Sequence, residues 1–114
     1  MKRETGNQHT RHVKVVVFCP KDAADTVRRA ITDAGGGRIG NYDSCVSATE
    51  STGYFRPLPG AHPAIGQIGR VECVEEVKLE FVCDRADAPR IIVAMKAAHP
   101  YEEVAYDVIL LCDL

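Results

Sequence analysis

Residues Val71–Cys83 constrain the fold more than any other part of the chain. Val71, Cys73, Val77, Leu79, Phe81 and Cys83 fall on one side of a period-two pattern. Glu72, Glu76, Lys78 and Glu80 fall on the other. Successive side chains of a strand point to opposite faces, so the segment reads as a long strand with one buried and one wet side. On this reading Cys73 and Cys83 belong to the core, where cysteine is commonly found. The charged row reads as a solvated strand surface. A strand of this kind needs neighbours, and His12–Cys19 (HVKVVVFC) supplies one. It is β-branched and apolar at nearly every position, as in a strand covered on both faces.

Helices are read between and after these strands. Ala24, Val27, Ile31 and Ala34 recur at helical spacing, with Asp22 as the expected N-cap and Gly35-Gly36-Gly37 as the stop. That triple glycine follows a helix rather than opening one, so it is a turn and not a phosphate cradle. Asp87 and Pro89 open a second helix with Ile91, Ala94, Met95 and Ala98 as its apolar stripe. A short strand is expected over about Asn41–Ala48 and a last one over about Glu103–Cys112. Residues 49–70 are rich in glycine and proline and read as a long loop, of the kind that is functional or mobile.

The order strand, helix, strand, strand, helix, strand predicts an α+β ferredoxin-like βαββαβ sandwich: one antiparallel sheet with two helices on one face. The first strand and the last, with Ile109 and Leu111 opposite Tyr106, Val108 and Leu110, are apolar on both sides. A doubly apolar sheet has to bury its second face, so a homo-oligomer is expected, specifically a trimer.

At 114 residues the chain suits one domain, placed at 12–114, with residues 1–11 as a disordered lead-in or expression remnant. A net charge of −2 carries no concentrated positive field for a nucleic acid. No apolar run reaches the roughly 18 residues of a membrane span. The polar start MKRETGNQHTRH lacks the apolar core of a signal peptide. Five cysteines, an odd number with no C-x-x-C pair, fit free thiols in the cytoplasm better than a disulfide framework or a zinc ribbon.

The chemistry concentrates in two proline-fixed histidines. Proline cannot continue a helix and pushes the residue before it out of helical geometry. His99, in Ala-Ala-His-Pro-Tyr-Glu-Glu, therefore sits at a helix end with Tyr101, Glu102 and Glu103 just beyond. His62 lies in the long loop. Neutral imidazoles bind zinc, copper or nickel, and Glu102 or Glu103 adds an oxygen ligand or orients a ring. The metal set expected is His62, His99 and Glu102. The alternative is structural: His99 hydrogen-bonds the helix terminus and His62 fastens the loop. Cys45 is a soft ligand or redox handle, or else a core residue. Tyr54, Phe55 and Arg56 offer a stacking surface and a guanidinium for a small anionic ligand, with Gly53, Gly60, Gly66 and Gly69 letting backbone amides approach it.

Four motifs carry a resemblance over about residues 12–112. They are G-x-I-G-x-Y-x-x-C (Gly37–Cys45), G-x-F-x-P (Gly53–Pro57), H-P-x-I-G (His62–Gly66) and H-P-Y-E-E (His99–Glu103). Together they resemble the YqfO-type insert domain of the Nif-three-like family, also described as GTP cyclohydrolase type 2 homologues or dinuclear-metal hexameric proteins. Thr52-Gly53-Tyr54-Phe55 keeps only one glycine of the usual G-x-G-x-F pattern. The resemblance implies kinship with CutA and PII proteins, which are trimeric ferredoxin-like modules. It also implies that the family's two-metal chemistry resides in flanking lobes that these residues do not include.

The expected function is a non-enzymatic regulatory module, trimeric, that binds a small ligand or a divalent metal. The site expected for it is Cys45, Tyr54, Arg56, His62, His99, Tyr101 and Glu102. A metal-assisted hydrolase around His62 and His99, and a structural oligomerisation or docking domain, are the alternatives.

Overall fold

The chain's first strand leads directly into the core. In the computed structural model, which describes residues 11–114, β1 spans His12–Pro20. Val13, Val15, Val17 and Cys19 point to one face and are fully buried or nearly so. The lead-in expected over residues 1–11 lies outside the described residues, apart from Arg11.

Beyond β1 a 3-10 turn, Lys21–Ala23, feeds α1 (Ala24–Asp33). The expected Asp22 cap is corrected here. Asp22 lies inside the turn, Ala23 is the N-cap, and no side chain caps the helix. The turn makes the helical entry itself, the Ala24 N–H bonding the Lys21 carbonyl. The glycine stop behaves as expected. Gly35 N–H bonds Thr32 C=O at 3.0 Å and Gly36 N–H bonds Ile31 C=O at 2.9 Å, with Gly35 at φ +102°. That paired closure is the glycine-dependent Schellman ending of a helix.

The strand expected at Asn41–Ala48 lies later. β2 is Ser47–Phe55, so the first third of the expected loop is strand, and only an isolated bridge, Ile39 to Tyr42, marks the earlier position. Its serines, threonines and mid-strand glycine hide it from a propensity reading; pairing with β3 overrides them. β3 is Glu72–Asp84, α2 is Ala88–Ala98, and β4 is a short Tyr106–Leu110.

The sheet order is β2-β3-β1-β4, every neighbour antiparallel. This is the α+β sandwich expected, with both helices on one face. Val27 and Ile31 of α1, and Ala88, Ile91 and Met95 of α2, close over Val77, Leu79, Phe81 and Cys83 of β3. Complete burial of a side chain such as Phe81 or Ile91 is worth about 2–3 kcal/mol. Arg90 of α2 donates to the Ala34 carbonyl at the end of α1, placing a cation where the helix dipole is negative.

Two assignments on β3 need correction. Cys73 is exposed, because the core-facing row of β3 begins only at Val77. Glu76, read as a wet residue, is only 8% exposed. The helix-free face is also less uniform than expected. Lys14 and Lys78 both approach Glu80, at 4.0 and 3.7 Å, and interrupt it with charge. Unburied apolar surface gathers instead on the β4 edge, at Val108, Ile109 and Leu110.

Candidate functional site

The site grows from the end of α2. Pro100 forces His99 out of the helix, to φ −85° and ψ 137°. The ring then turns inward and is 7% exposed. His99 Nε2 lies 2.7 Å from the Phe18 carbonyl oxygen of β1, and Tyr101 N–H donates to Nδ1 at 3.1 Å. A carbonyl only accepts and an amide N–H only donates, so the imidazole is the neutral tautomer protonated at Nε2. Both nitrogens are engaged. The metal role expected of His99 is therefore corrected: no lone pair is free for a cation. Its partners are a neighbouring strand and its own loop, not the helix terminus.

This clamp fixes Tyr101. The Tyr101 ring lies 5.0 Å from the His99 ring and 5.9 Å from that of Phe55, both tilted. Its hydroxyl donates to Glu76 Oε2 at 3.4 Å. Burial, reinforced by the Glu76 charge, pushes the phenol up to about 12, so it stays protonated and able to donate.

Glu76 is the residue that pattern reading missed. Strand register puts it on the helix-free face with Phe18, Ser51, Gly53 and Phe55. Its carboxylate lies against Gly53, where a Cβ would come within 2.2 Å of Oε1. Gly53 is thus bare to seat a carboxylate, not to bring an amide to a ligand. A glycine inside a strand often marks such a close approach, and that was the available signal.

Around this pair lies a cavity of about 590 Å³. Its floor is Phe18, Gly53, Phe55 and Glu76; its walls are Pro57, Leu58, Ala61 and Ile65 of segment 56–71 and Tyr101, Glu102, Glu103 and Ala105. The volume is that of a site for a small organic molecule. Glu76 also borders a polar hollow of about 420 Å³ beside Lys21 and Glu50. Segment 56–71 is folded by its own turns, Ala61 to Leu58 at 3.0 Å and Gly69 to Pro57 at 2.8 Å. Glu102 ties it down: Oε2 accepts the backbone N–H of His62 at 2.8 Å.

The remaining expected residues divide. Tyr54, Arg56, Tyr101 and Glu102 line the cavity. Tyr54 is 67% exposed, and a hydrogen bond with the Cys73 thiol raises its phenol. His62 is exposed, meets the site through its backbone and does not line the cavity. Cys45 is elsewhere. Its N–H bonds Gly37 C=O, and Gly37 N–H bonds Val82 C=O. Val82 is six residues along β3 from Glu76, or about 20 Å. Among the described residues no group of three His, Cys, Asp or Glu side chains is placed to hold a metal ion, so His62, His99 and Glu102 do not form the ligand set expected. Three carboxylates, of Glu76, Glu102 and Glu103, line the cavity against the single guanidinium of Arg56. That balance opposes the anionic ligand expected from Arg56.

Comparison with known proteins gives a consistent answer. No family model matches the chain. Over 95 residues it is 46% identical to the GTP cyclohydrolase 1 type 2 homolog of Bacillus subtilis (strain 168), covering 83% of this chain and 26% of that protein. The crystal structure of a Bacillus cereus protein related to NIF3 superposes with a TM-score of 0.79 at 45% identity, covering 92% of this chain and 27% of that one. The divalent cation tolerance protein CutA1 of Thermus thermophilus shares the fold, with a TM-score of 0.64 at 19% identity over 90% and 86% of the two chains. The chain spans about a quarter of the length of its NIF3-type relatives.

Proposed function

This chain is homologous to a domain-sized quarter of the NIF3-family GTP cyclohydrolase 1 type 2 homologs, and from that premise we propose that it is a small-ligand-binding regulatory module. One observation carries the reading. The helix-free face holds a largely apolar cavity of about 590 Å³ with a buried carboxylate at its floor, bonded by a phenol of its wall. Segment 56–71 forms one wall and is fastened by Glu102, so occupancy of the cavity bears directly on the surface that segment presents. A small organic ligand suits this site better than a divalent metal, because the His99 nitrogens are committed to Phe18 and Tyr101. The same commitment weakens a metal-assisted hydrolase built on His62 and His99.

Self-association belongs to the proposal. Val108, Ile109 and Leu110 leave apolar surface on an edge strand, and β2 leaves the opposite edge unpaired among the described residues. A homotrimer would cover such edges. No disulfide links the five cysteines, which fits a reducing compartment and a cytoplasmic setting. No helix among the described residues is long and apolar enough to cross a membrane.

Amide chemical-shift mapping against a library of small organic fragments tests the ligand reading. Perturbations should gather at Gly53, Phe55 and Tyr101. A library that leaves those amides unmoved overturns it. Sedimentation tests the assembly, and a lone protomer at every concentration removes the trimer.

A further inference from the structure

The carboxylate of Glu76 is buried beside the cavity and sparsely bonded. Its residue is 8% exposed, yet among the described residues its one hydrogen bond is a 3.4 Å contact from the neutral hydroxyl of Tyr101. A buried carboxylate is costly unless paired with charge and bonded on its several lone pairs. The nearest cation in the adjoining hollow is already occupied: Lys21 Nζ lies 3.7 Å from Glu50 Oε2. Arg56 is exposed and, among the described residues, makes no ion pair with Glu76. Glu102 and Glu103 add negative potential on the same wall. Beside the carboxylate lie Phe55 and Tyr101, whose ring faces attract a cation.

We propose that the cavity takes a small organic cation, a protonated amine or amidinium on an apolar body. Its N–H groups bond the Glu76 carboxylate while the body lies on Phe55 beneath segment 56–71. This rests on the ligand-binding reading above and deepens it by naming the ligand class. Charge selects the class: the donors restore bonds that Glu76 lacks, and charge-assisted bonds are the strong ones. A carboxylate ligand of equal size meets Glu76, Glu102 and Glu103 and is repelled. Tyr101 then serves as a positioning residue that holds Glu76 against Gly53.

Three probes with one aryl body separate the possibilities: 2-phenylethylamine, 3-phenylpropan-1-ol and 3-phenylpropionate, titrated by chemical-shift mapping into the intact chain. The amine should bind at least about tenfold tighter than the propionate. Glu76→Gln should lower amine binding by at least about tenfold and leave the alcohol unchanged. Tyr101→Phe, which keeps the ring and the carboxylate but drops the hydroxyl that holds Glu76, should weaken amine binding and still leave the amine ahead of the propionate. Unperturbed amides outside the cavity certify the fold of each variant. Equal binding of amine and propionate, or equal amine binding by Glu76→Gln, overturns the proposal. Binding of the alcohol without the amine overturns the ligand class and keeps the cavity reading; binding of no probe overturns both.

Discussion

Replacing His99 dissects the clamp that builds the site. The ring makes two hydrogen bonds of opposite polarity, Nε2–H to Phe18 C=O and Nδ1 from Tyr101 N–H. His99→Ala removes both and leaves a half-buried carbonyl and amide without these partners, besides a void. A lost hydrogen bond costs about 1 kcal/mol and an unsatisfied buried partner about 1–3 kcal/mol, so His99→Ala should cost about 4 kcal/mol. A domain of this size holds roughly 6–17 kcal/mol in all. His99→Asn places an oxygen near the Nδ1 position and keeps the bond from Tyr101. His99→Gln places an amide nitrogen near Nε2 and keeps the bond to Phe18. Each should cost about half as much as alanine. Urea unfolding at one fixed protomer concentration reads this directly. With a slope of about 2 kcal/mol/M the alanine midpoint falls by about 2 M and the others by about 1 M. A loss below about 1 kcal/mol for His99→Ala would refute the clamp, as would equal losses for all three variants.

Three further outcomes follow from the same geometry. Gly53→Ala puts a Cβ within 2.2 Å of Glu76 Oε1 and should cost about 1–3 kcal/mol by denaturant melt, whereas in a Glu76→Ala background the same change should be harmless. Burial pushes the Cys19 and Cys83 thiols up to about 11 from 9.0. Their contribution is complete below pH 9 and is lost as pH rises through about 11, because the unfolded chain ionises first; each should remove on the order of 2 kcal/mol across that window, and Cys19→Ala should flatten the decline. Glu102→Ala should change global stability by under about 1 kcal/mol yet speed hydrogen exchange of the His62 amide at least about tenfold.

The sheet and helices were legible because their patterns are local. Valine-rich β1 and alternating β3 state their period outright, and Pro100 fixes where α2 stops. β2 was not legible, because Thr49, Ser51 and Gly53 become strand only through pairing with Lys78, Glu76 and Val74. The same dependence hid Glu76. Alternation names the face a side chain takes, but that face becomes an interior only where segment 56–71 folds over it. His99 was read as a metal ligand, whereas its ring is committed by Phe18, far away in sequence. Cys45 and His62 show the opposite error: residue types rich in chemistry, placed where their side chains leave the cavity untouched.

The grip of Glu102 on segment 56–71 has an asymmetric consequence. What it grasps at position 62 is main chain, which every residue but proline supplies. The fastening is therefore written at one end only. Exchange of the imidazole leaves the latch shut, so a change that follows such an exchange reports on the ring alone. Removing the side-chain oxygen three places beyond His99 releases the latch whatever stands opposite.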